Sequence, residues 1–225
     1  MNRVKLVDVA SESIIQMIKN KEYDQDGYLL SEGDLALKLE VSRSTIREAV
    51  RSLEVRGFLH RRHGKGLEVA NNSTEVMTRS LEDMLIKEVD IMDDLLEIRM
   101  LLEPACAELA ANTATAKDLA DMEKFIQIME SKDVADEDYY VADLGFHCVM
   151  ARASGNRIYE SIITAYTPIL LEMIVESSPN QCRYEPEFHY HRNILEAVKS
   201  RDGEKAKEEM TNHLRATDKN RNSSS

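Results

Sequence analysis

Residues 41–65 read VSRSTIREAVRSLEVRGFLHRRHGK, and they hold seven Lys or Arg residues against two Glu in a chain whose net charge is −12. The first half of this stretch predicts an amphipathic helix, because basic and apolar residues recur on opposite faces of a helical wheel. We expect the apolar face to pack on a core and the basic face to meet an anion. The basic face carries Arg43, Arg47 and Arg51, and the apolar face carries Ile46, Val50 and Leu53.

The residues on either side extend this helix into a larger motif. Residues 31–34 have the sequence of a capping box that opens a short helix, and residues 40–42 form the turn between the two helices. Residues 58–62 and 67–69 have the composition of two strands, and the two glycines between them permit a tight hairpin. Together these parts predict a winged helix-turn-helix.

Residues 29–69, LLSEGDLALKLEVSRSTIREAVRSLEVRGFLHRRHGKGLEV, resemble the N-terminal DNA-binding domain of the GntR transcription regulators. The V-S-R-x-T-I-R-E-A-V core, followed by L-x-x-x-G and a glycine-bearing wing, carries the resemblance. It implies that a helix over residues 44–55 lies in the major groove of double-stranded operator DNA. The candidate DNA-binding residues are Arg43, Ser44, Thr45, Arg47 and Arg51 in the helix and His63, Gly64 and Lys65 at the tip of the wing.

Three positions depart from the family pattern. Leu30 stands where the family usually has a proline, Gly33 where it has an arginine that often touches DNA, and Glu40 where it has the glycine of the turn. We therefore expect one backbone contact to DNA to be missing at Gly33. A left-handed conformation at Glu40 is expected to cost about 1 kcal/mol.

Charge is distributed unevenly along the chain. The 225 residues hold 29 Lys or Arg and 41 Asp or Glu, a balance that alone argues against a nucleic-acid-binding protein. Residues 1–70, however, carry +1, and the remainder carries −13. A basic surface on an acidic body favours one docking orientation on phosphates, which is more typical of a sequence-specific regulator than of a general DNA coat.

Cysteine spacing and hydropathy indicate a cytoplasmic protein. Cys106, Cys148 and Cys182 are odd in number and form no CxxC pair, so neither a disulfide framework nor a cysteine zinc site is expected. We expect no apolar run long enough to span a bilayer, and we see no charged-then-apolar secretory start. The expected location is the cytoplasm, with no membrane partner.

The pattern predicts a mainly α protein of two domains. Residues 1–70 form the winged helix-turn-helix domain, and residues 71–78 form a small polar linker. Residues 79–218 predict an antiparallel all-helical bundle, and residues 219–225 a frayed tail. The bundle helices are expected over residues 74–87, 92–112, 116–131, 136–154, 157–176, 185–200 and 203–216.

Local signals mark several of these helices. Residues 115–118 have the sequence of a capping box, and Asp202 is placed to cap the last helix. Pro104 lies inside the second predicted bundle helix and is expected to kink it.

Four residues in the helical domain are candidates for binding one cation. Asp143 and His147 are four residues apart in a predicted helix, so a carboxylate and an imidazole lie on the same face one turn apart. His191 and His213 lie in the last two helices. Spacing alone leaves the metal site open, because a lone histidine on a bundle helix is more often a surface residue or a satisfied core residue.

Short segments of this domain resemble the FCD ligand domain of the FadR-like branch of the GntR family. They are DLGFH at 143–147, ASGN at 153–156, HRNILEAVKSRDG at 191–203 and MTNHL at 210–214. A mixed Asp and His set suits zinc, nickel, manganese or iron alike, so the ion is not identified. The resemblance implies that a divalent ion at the centre of the bundle is held by Asp143, His147, His191 and His213.

The same resemblance points to an effector site near the ion. Arg99 stands in an E-x-R-x-x-L-E pattern whose arginine often faces the ligand cavity in this branch, and Asn156 is a second candidate for lining that cavity. A guanidinium among apolar neighbours favours a small carboxylate or sugar-acid effector. The alternatives are a salt bridge from Arg99 to Glu97 or Glu103, and a helix-stop role for Asn156.

These observations predict a ligand-responsive transcription regulator. We expect a repressor that binds its operator as a homodimer and is released or re-posed by a small organic acid bound near the metal. Two alternatives stay open: a metal sensor in which the ion is the signal, and a metal-dependent hydrolase with an activated water at an open metal position. The lack of an obvious general base beside the ligands argues against the hydrolase, and so does the attached DNA-binding domain.

Overall fold

The computed structural model of this chain describes residues 3–70, 73–85, 91–131, 133–177 and 189–222. The chain divides into two compact units, Met1–Met77 and Thr78–Ser225. The predicted mainly α class, with a winged helix-turn-helix followed by a helical bundle, is confirmed. Of the three cysteines, Cys106 and Cys148 are free, and Cys182 lies outside the described residues.

The first unit has the element order of a winged helix-turn-helix. Its elements are α1 (Arg3–Lys19), β1 (Tyr28–Leu29), α2 (Glu32–Lys38), α3 (Arg43–Val55), β2 (Leu59–Arg62) and β3 (Gly66–Val69). Helices α2 and α3 form the helix-turn-helix, and the hairpin of β2 and β3 forms the wing.

Local hydrogen bonds start both helices of this motif. Ser31 Oγ accepts the backbone N–H of Asp34 at 3.2 Å, which confirms the predicted cap of α2. Ser42 Oγ accepts the backbone N–H of Thr45 at 3.1 Å and caps α3 in the same way. Between the helices, Glu40 has φ 53°, the left-handed conformation expected for the turn.

The sheet contains a strand that the sequence did not predict. The strand order is β1-β3-β2, all pairs are antiparallel, and Leu29 of β1 lies opposite Leu67 of β3. The turn before β1 is held by Asp24, whose carboxylate accepts the N–H of Tyr28 at 2.8 Å. A strand of two residues shows no alternation of polar and apolar side chains, so hydropathy periodicity does not reveal it.

The core of the first unit joins α1, α2, α3 and the sheet. Helix α1 packs on α3, and apolar residues from each element meet between them. The largest of these side chains are fully buried: Ile14, Leu35, Ile46, Leu53 and Leu59. Because the apolar face of α3 is used here, its basic face points outward.

The second unit is a helical bundle whose elements lie close to the predicted ranges. They are α4 (Ser73–Leu85), α5 (Met92–Thr113), α6 (Ala116–Met129), α7 (Asp136–Ala153), α8 (Arg157–Ser177), α9 (Tyr190–Lys199) and α10 (Gly203–Asn222). Helix α9 was expected to begin at residue 185, but residues 185–188 lie outside the described ones.

Two predicted segments differ from the structure. Helix α4 begins at Ser73, inside the expected linker 71–78, and residues 71–72 lie outside the described ones. Helix α10 runs to Asn222, so the expected frayed tail 219–225 is helical as far as it is described.

Helix α5 contacts α7, α9 and α10, and these four helices pack around a common centre. Helix α6 packs on α7. Gly145 allows the approach of α6 to α7, because a Cβ at this position would lie 2.6 Å from the ring of Phe125. The short connections at 114–115, 154–156 and 200–202 reverse the chain between neighbouring helices.

The predicted caps of the bundle helices are present. Thr115 Oγ1 accepts the N–H of Asp118 at 3.2 Å, and the Asp118 carboxylate accepts the N–H of Thr115 at 3.0 Å, which completes the capping box of α6. Asp202 Oδ1 accepts the N–H of Lys205 at 3.0 Å at the start of α10. Pro104 lies inside α5 as expected, and the helix continues on both sides of it.

Among the residues that the structure describes, one helix qualifies as a membrane span by length and composition, which corrects the expectation that no apolar run is long enough. It covers Arg157–Val175 in α8. This is weak evidence for a membrane, because core helices of soluble proteins pass the same test. Ile163, Tyr166 and Leu170 of this helix are buried in the bundle.

Candidate functional site

Four side chains from three helices converge inside the second unit. Helix α7 supplies Asp143 and His147 one turn apart, α9 supplies His191, and α10 supplies His213. One ligand atom from each residue lies within 4.8 Å of the other three. This separation is close to the spacing of ligand atoms around a single ion.

The shortest distances within this cluster join its members in two pairs. His147 Nε2 lies 3.1 Å from His213 Nε2, and His191 Nε2 lies 3.0 Å from Asp143 Oδ1. His147 and His213 are buried, and the side chains of His191 and Asp143 keep 12% and 15% of their surface exposed. The cluster is therefore largely buried, and its small remaining exposure is at His191 and Asp143.

The geometry of these four side chains fits a divalent ion. His191 Nε2 is buried and makes no aligned hydrogen bond with any residue that the structure describes, although Asp143 Oδ1 is close. The facing Nε2 atoms of His147 and His213 cannot both carry a proton at 3.1 Å. A cation that accepts one lone pair from each nitrogen and balances the carboxylate would satisfy all four groups.

Burial and neighbouring charges keep two of the groups in the form that binds a metal. Burial lowers the pKa of His213 well below its usual value, and His191 and His147 lower it further, so this imidazole is neutral at pH 7. Burial opposes the ionisation of Asp143, but the contact with His191 and the nearby histidines hold its pKa far below the usual range. A neutral imidazole and an ionised carboxylate are the forms that ligate metals.

The first unit presents its basic residues on an exposed surface. The candidate side chains Arg43, Ser44, Arg47 and Arg51 are exposed on α3, and His63, Gly64 and Lys65 are exposed in the turn between β2 and β3. Gly64 has φ 74°, a conformation that glycine adopts without strain. A basic helix face with a wing beside it suits a helix that enters a DNA groove.

Two protein-family models match the chain. One, described as "Bacterial regulatory proteins, gntR family", matches residues 6–69. The other, the FCD domain, matches residues 94–216, which is more than half of the chain. This chain belongs to the gntR family of bacterial regulatory proteins. Its second unit carries the FCD domain, so both resemblances seen in the sequence are confirmed.

Known relatives of this GntR-family chain are transcription regulators. The HTH-type transcriptional regulator LutR of Bacillus subtilis is 30% identical over 203 residues, which span 88% of this chain and 93% of LutR. The HTH-type transcriptional repressor NanR of Klebsiella aerogenes is 25% identical over 225 residues, which span 95% of this chain and 84% of NanR. The chain is accordingly a transcription regulator and not an enzyme, which sets the hydrolase alternative aside.

A solved structure supports the same assignment. The Streptococcus agalactiae GntR structure superposes with a TM-score of 0.75 at 30% sequence identity, and the match covers 92% of this chain and 96% of that one. The two-unit architecture described above is therefore that of a GntR-family regulator.

Arg99 of this GntR-family chain is buried, as an effector role would require, but it has a protein partner. Its Nε donates to Glu103 Oε1 at 2.7 Å, and its Nη2 donates to Glu103 Oε2 at 3.4 Å. Burial alone would lower the pKa of Arg99, but the charge of Glu103 more than offsets this and raises it. The salt bridge from Arg99 to Glu103, one of the alternatives considered from the sequence, is present. Arg99 Nη1 makes no hydrogen bond within the described part of the chain.

Asn156 lies at the start of a helix and not in the cluster of Asp143 and the three histidines. Its Oδ1 accepts the backbone N–H groups of Ile158 at 3.0 Å and Tyr159 at 3.3 Å, so it caps α8. The amide oxygen is therefore occupied by the protein itself. This geometry favours a structural role for Asn156 over an effector contact.

Sequence reasoning considered Glu103 only as a partner of Arg99 and missed its place beside the cluster. Glu103 is 1% exposed, and its Oε2 lies 2.6 Å from His147 Nδ1, although the ring N–H does not point straight at the oxygen. Burial opposes ionisation of this carboxyl, but Arg99 and His147 hold its pKa well below the usual range. The sequence signal that could have pointed to this role is that Glu103 is the second glutamate of the E-x-R-x-x-L-E pattern.

Two residues that sequence reasoning missed adjoin the basic face of α3. Glu32 Oε2 accepts a hydrogen bond from Arg47 Nε at 3.3 Å, and Glu32 Oε1 accepts one from Arg61 Nη2 at 2.8 Å. Glu32 thus joins α2, α3 and the wing strand β2. Its carboxylate restrains both arginines, and Arg61 Nη2 also lies 3.7 Å from Glu54 Oε2.

Thr45 corrects the expected set of DNA-facing side chains. It is 4% exposed, and its Oγ1 lies 2.8 Å from Ser42 Oγ at the start of α3. The helical wheel places position 45 beside Ile46 and Ala49, on the face that packs on the core. Its side chain therefore supports the helix start and does not lie on the exposed surface.

The glycine that replaces a family arginine leaves room for Arg43. Arg43 Nη2 lies 3.7 Å from the point where a Cβ of Gly33 would stand. A larger side chain at position 33 would therefore contact this guanidinium, which here lies over the first turn of α2.

Proposed function

We propose that this regulator represses transcription in the cytoplasm as a homodimer on an operator, and that a small organic acid bound beside a divalent ion releases or re-poses it. The observation that carries the proposal is the convergence of Asp143, His147, His191 and His213 in the FCD domain of a chain whose other unit matches the gntR family. The relative NanR is named as a repressor, which supports this direction of control.

On the DNA side, α3 enters the major groove. Arg43, Arg47 and Arg51 contact phosphates and guanine edges, and Ser44 assists at the helix start. The wing tip at His63, Gly64 and Lys65 lies in the adjacent minor groove. The exposure of all these residues supports the assignment.

Two copies of the chain read two operator half-sites, because a two-fold dimer matches a palindromic site. Exposed apolar residues on α5 support self-association: Leu101 is 70% exposed and Ile98 is 40% exposed. They lie three residues apart, on neighbouring positions of one helix face. A second copy covering them would remove this apolar surface from water.

In the FCD domain, Asp143 and the three histidines hold the divalent ion, which is zinc, nickel, manganese or iron. With four protein ligands, such an ion offers one or two further positions to a carboxylate or hydroxyl of the effector. Arg99 Nη1 is the protein group proposed to meet the effector's carboxylate, since its other two nitrogens bind Glu103. Asn156, with its oxygen used by α8, contributes to the shape of the domain.

The burial of the ligands favours an ion that stays bound over an ion that acts as the signal. His147 is 2% exposed and His213 is 1% exposed. A sensing ion must exchange with solvent, whereas an ion that anchors the effector is retained through purification.

Thermal melting of the full-length protein tests the proposal. The protein is melted with a panel of monocarboxylates, dicarboxylates, hydroxy acids and sugar acids, each with and without a chelator. We expect at least one compound to raise the melting temperature only when the metal is present. A ligand at 100 times its dissociation constant adds about 2.7 kcal/mol to the free energy of unfolding.

The same samples distinguish a failure of the organic-acid effector from a failure of the metal site. If the chelator lowers the melting temperature but no compound raises it, the ion is structural or is itself the signal, and the organic-acid effector is wrong. If elemental analysis finds no ion and added ions change nothing, the metal site is wrong. A compound that raises the melting temperature must also change affinity for a DNA duplex selected by the protein from a random-sequence pool.

A further inference from the structure

Glu103 connects three helices beneath the cluster of Asp143 and the three histidines. It lies on α5, and its carboxylate contacts Arg99 of the same helix, His147 of α7 and Tyr166 of α8. Glu103 is 1% exposed, and Arg99, His147 and Tyr166 are each 3% exposed or less. Water therefore does not compete for these contacts, and each partner restricts the position of the carboxylate.

The contacts fix the orientation of the carboxylate. Its Oε1 accepts hydrogen bonds from Arg99 Nε at 2.7 Å and from the Tyr166 hydroxyl at 2.8 Å. These two bonds approach from different helices and leave Oε2 beside His147 Nδ1, 2.6 Å away, although the ring N–H is not aligned with the oxygen. Oε2 also accepts a longer bond from Arg99 Nη2 at 3.4 Å. Rotation of the carboxyl group would break at least one of the bonds on Oε1.

A contact this short determines where His147 carries its proton. A ring nitrogen and a carboxylate oxygen 2.6 Å apart require a hydrogen on the nitrogen, because two lone pairs would repel each other. With the proton on Nδ1, the neutral ring has its lone pair on Nε2. That atom faces His213 within the cluster and is the one available to an ion.

We propose that Glu103 is a positioning residue for the metal site: held by Arg99 and Tyr166, it sets the tautomer and the ring orientation of His147 for metal binding. Carboxylates that accept a bond from the outer nitrogen of a metal-binding histidine orient the ring and raise its basicity. The inference rests on the proposed function, since it assigns a role toward the same ion. It adds a residue that contacts neither the ion nor the effector.

The competing explanation is that Glu103 serves only as the counter-ion of Arg99. A buried arginine needs such a partner whether or not a metal binds nearby. The two explanations differ in what happens at His147 when the carboxylate is neutralised, so the test must measure His147 and the ion as well as stability.

Zinc affinity is the first measurement. Full-length wild-type protein and Glu103→Gln are titrated with zinc against a chromophoric chelator. Removing a carboxylate that orients a metal-binding histidine costs 10- to 100-fold in affinity, and we expect a loss in this range. Glu108→Gln is the matched control, because Glu108 is on the same helix and its carboxylate pairs with Lys207 at the surface at 2.7 Å; its zinc affinity should match the wild type.

A second variant covers the risk that Glu103→Gln does not fold with an unpaired buried arginine. The double variant Arg99→Met/Glu103→Gln removes both charges, which buried pairs often tolerate. We expect it to lose zinc affinity as the single variant does. If the double variant binds zinc like the wild type, the loss in the single variant came from the unpaired arginine and the positioning role is wrong.

The tautomer of His147 is the second measurement. Long-range proton–nitrogen NMR spectra of the metal-free protein should show His147 protonated on Nδ1 in the wild type and a mixture of tautomers in Arg99→Met/Glu103→Gln. A wild-type His147 that is protonated on Nε2 contradicts the proposal. A wild type that binds zinc, with both variants unchanged, overturns the role of Glu103 alone. A wild type that binds no zinc, nickel, manganese or iron overturns the metal site as well.

Discussion

Replacing Arg47 with alanine should separate DNA binding from stability. Arg47 is exposed on α3, with 68% of its side chain accessible, and its described ion pair joins Nε to Glu32 Oε2 at 3.3 Å. An exposed pair of this kind contributes about 0–1 kcal/mol to the free energy of unfolding. Glu32 also keeps its shorter bond to Arg61 at 2.8 Å in the variant. For a chain of this size, the melting temperature should fall by no more than about 4 °C.

The effect on DNA should be much larger. A side chain that contacts a guanine edge contributes about 1–3 kcal/mol of discrimination, which corresponds to a loss of about 5- to 150-fold in affinity. Fluorescence anisotropy with a duplex selected by the wild type from a random-sequence pool measures this loss. If Arg47 contacts a phosphate instead, the slope of log K against log salt should become shallower by about 0.9.

Lys38→Ala is the matched control for Arg47→Ala. Lys38 lies at the end of α2 and forms an exposed ion pair with Glu22 at 2.8 Å, so its loss removes a comparable surface contact. We expect its DNA affinity to stay within about twofold of the wild type, since surface substitutions away from special features have small effects. The assignment of α3 is refuted if Arg47→Ala binds DNA as well as Lys38→Ala does.

Three further predictions concern the fold. Burial would raise the pKa of Asp118, but its bonds to Thr115 and Arg152 outweigh this effect and lower it. The stabilising contribution of the carboxylate is therefore present above its ordinary pKa of 3.8, and it is lost as the pH falls through the lower pKa of the folded state. The free energy of unfolding of the wild type, measured with urea, should fall more steeply over this acid range than that of Asp118→Asn, and equal slopes for the two proteins would contradict this. Glu40→Gly should raise the urea midpoint, because the left-handed backbone at φ 53° costs about 1 kcal/mol in a residue with a Cβ; an unchanged or lower midpoint would show that this strain is absent. Gly145→Ala should destabilise the bundle by about 1–3 kcal/mol, because its Cβ would lie 2.6 Å from the Phe125 ring, and a variant that melts like the wild type would contradict this packing.

The features predicted correctly from sequence depend on residues that are close along the chain. A cap such as Ser31 on α2 or Thr115 on α6 forms within four residues, so side-chain type and spacing are enough to identify it. The left-handed turn at Glu40 was indicated by the family resemblance, because Glu40 stands where the family has the glycine of the turn. Long helical segments were also located to within a few residues, apart from the end of α10, since their apolar periodicity repeats over several turns.

The features that sequence analysis missed depend on contacts between distant segments. β1 exists because Tyr28 and Leu29 pair with Glu68 and Leu67, about 40 residues later in the chain, and nothing within the strand itself indicates this. Thr45 was placed among the candidate DNA-binding residues because it lies in the first turn of the helix that the family resemblance assigns to the major groove. Its burial reflects how α3 packs on the core of the unit, which is a property of the assembled domain.

By itself, the sequence determined that a winged helix-turn-helix precedes a helical domain, and that Asp143 and His147 share one face of a helix. The period of 3.6 residues fixes such relations within a helix, but it carries no information about which helices meet. The meeting of His191 of α9 and His213 of α10 with that face was indicated in the sequence only through the family resemblance, and its geometry comes from the tertiary structure. The tertiary structure alone decided that Glu103 of α5 lies behind His147. These contacts arise from packing between helices, where a side chain's position depends on how whole helices dock to bury their apolar faces.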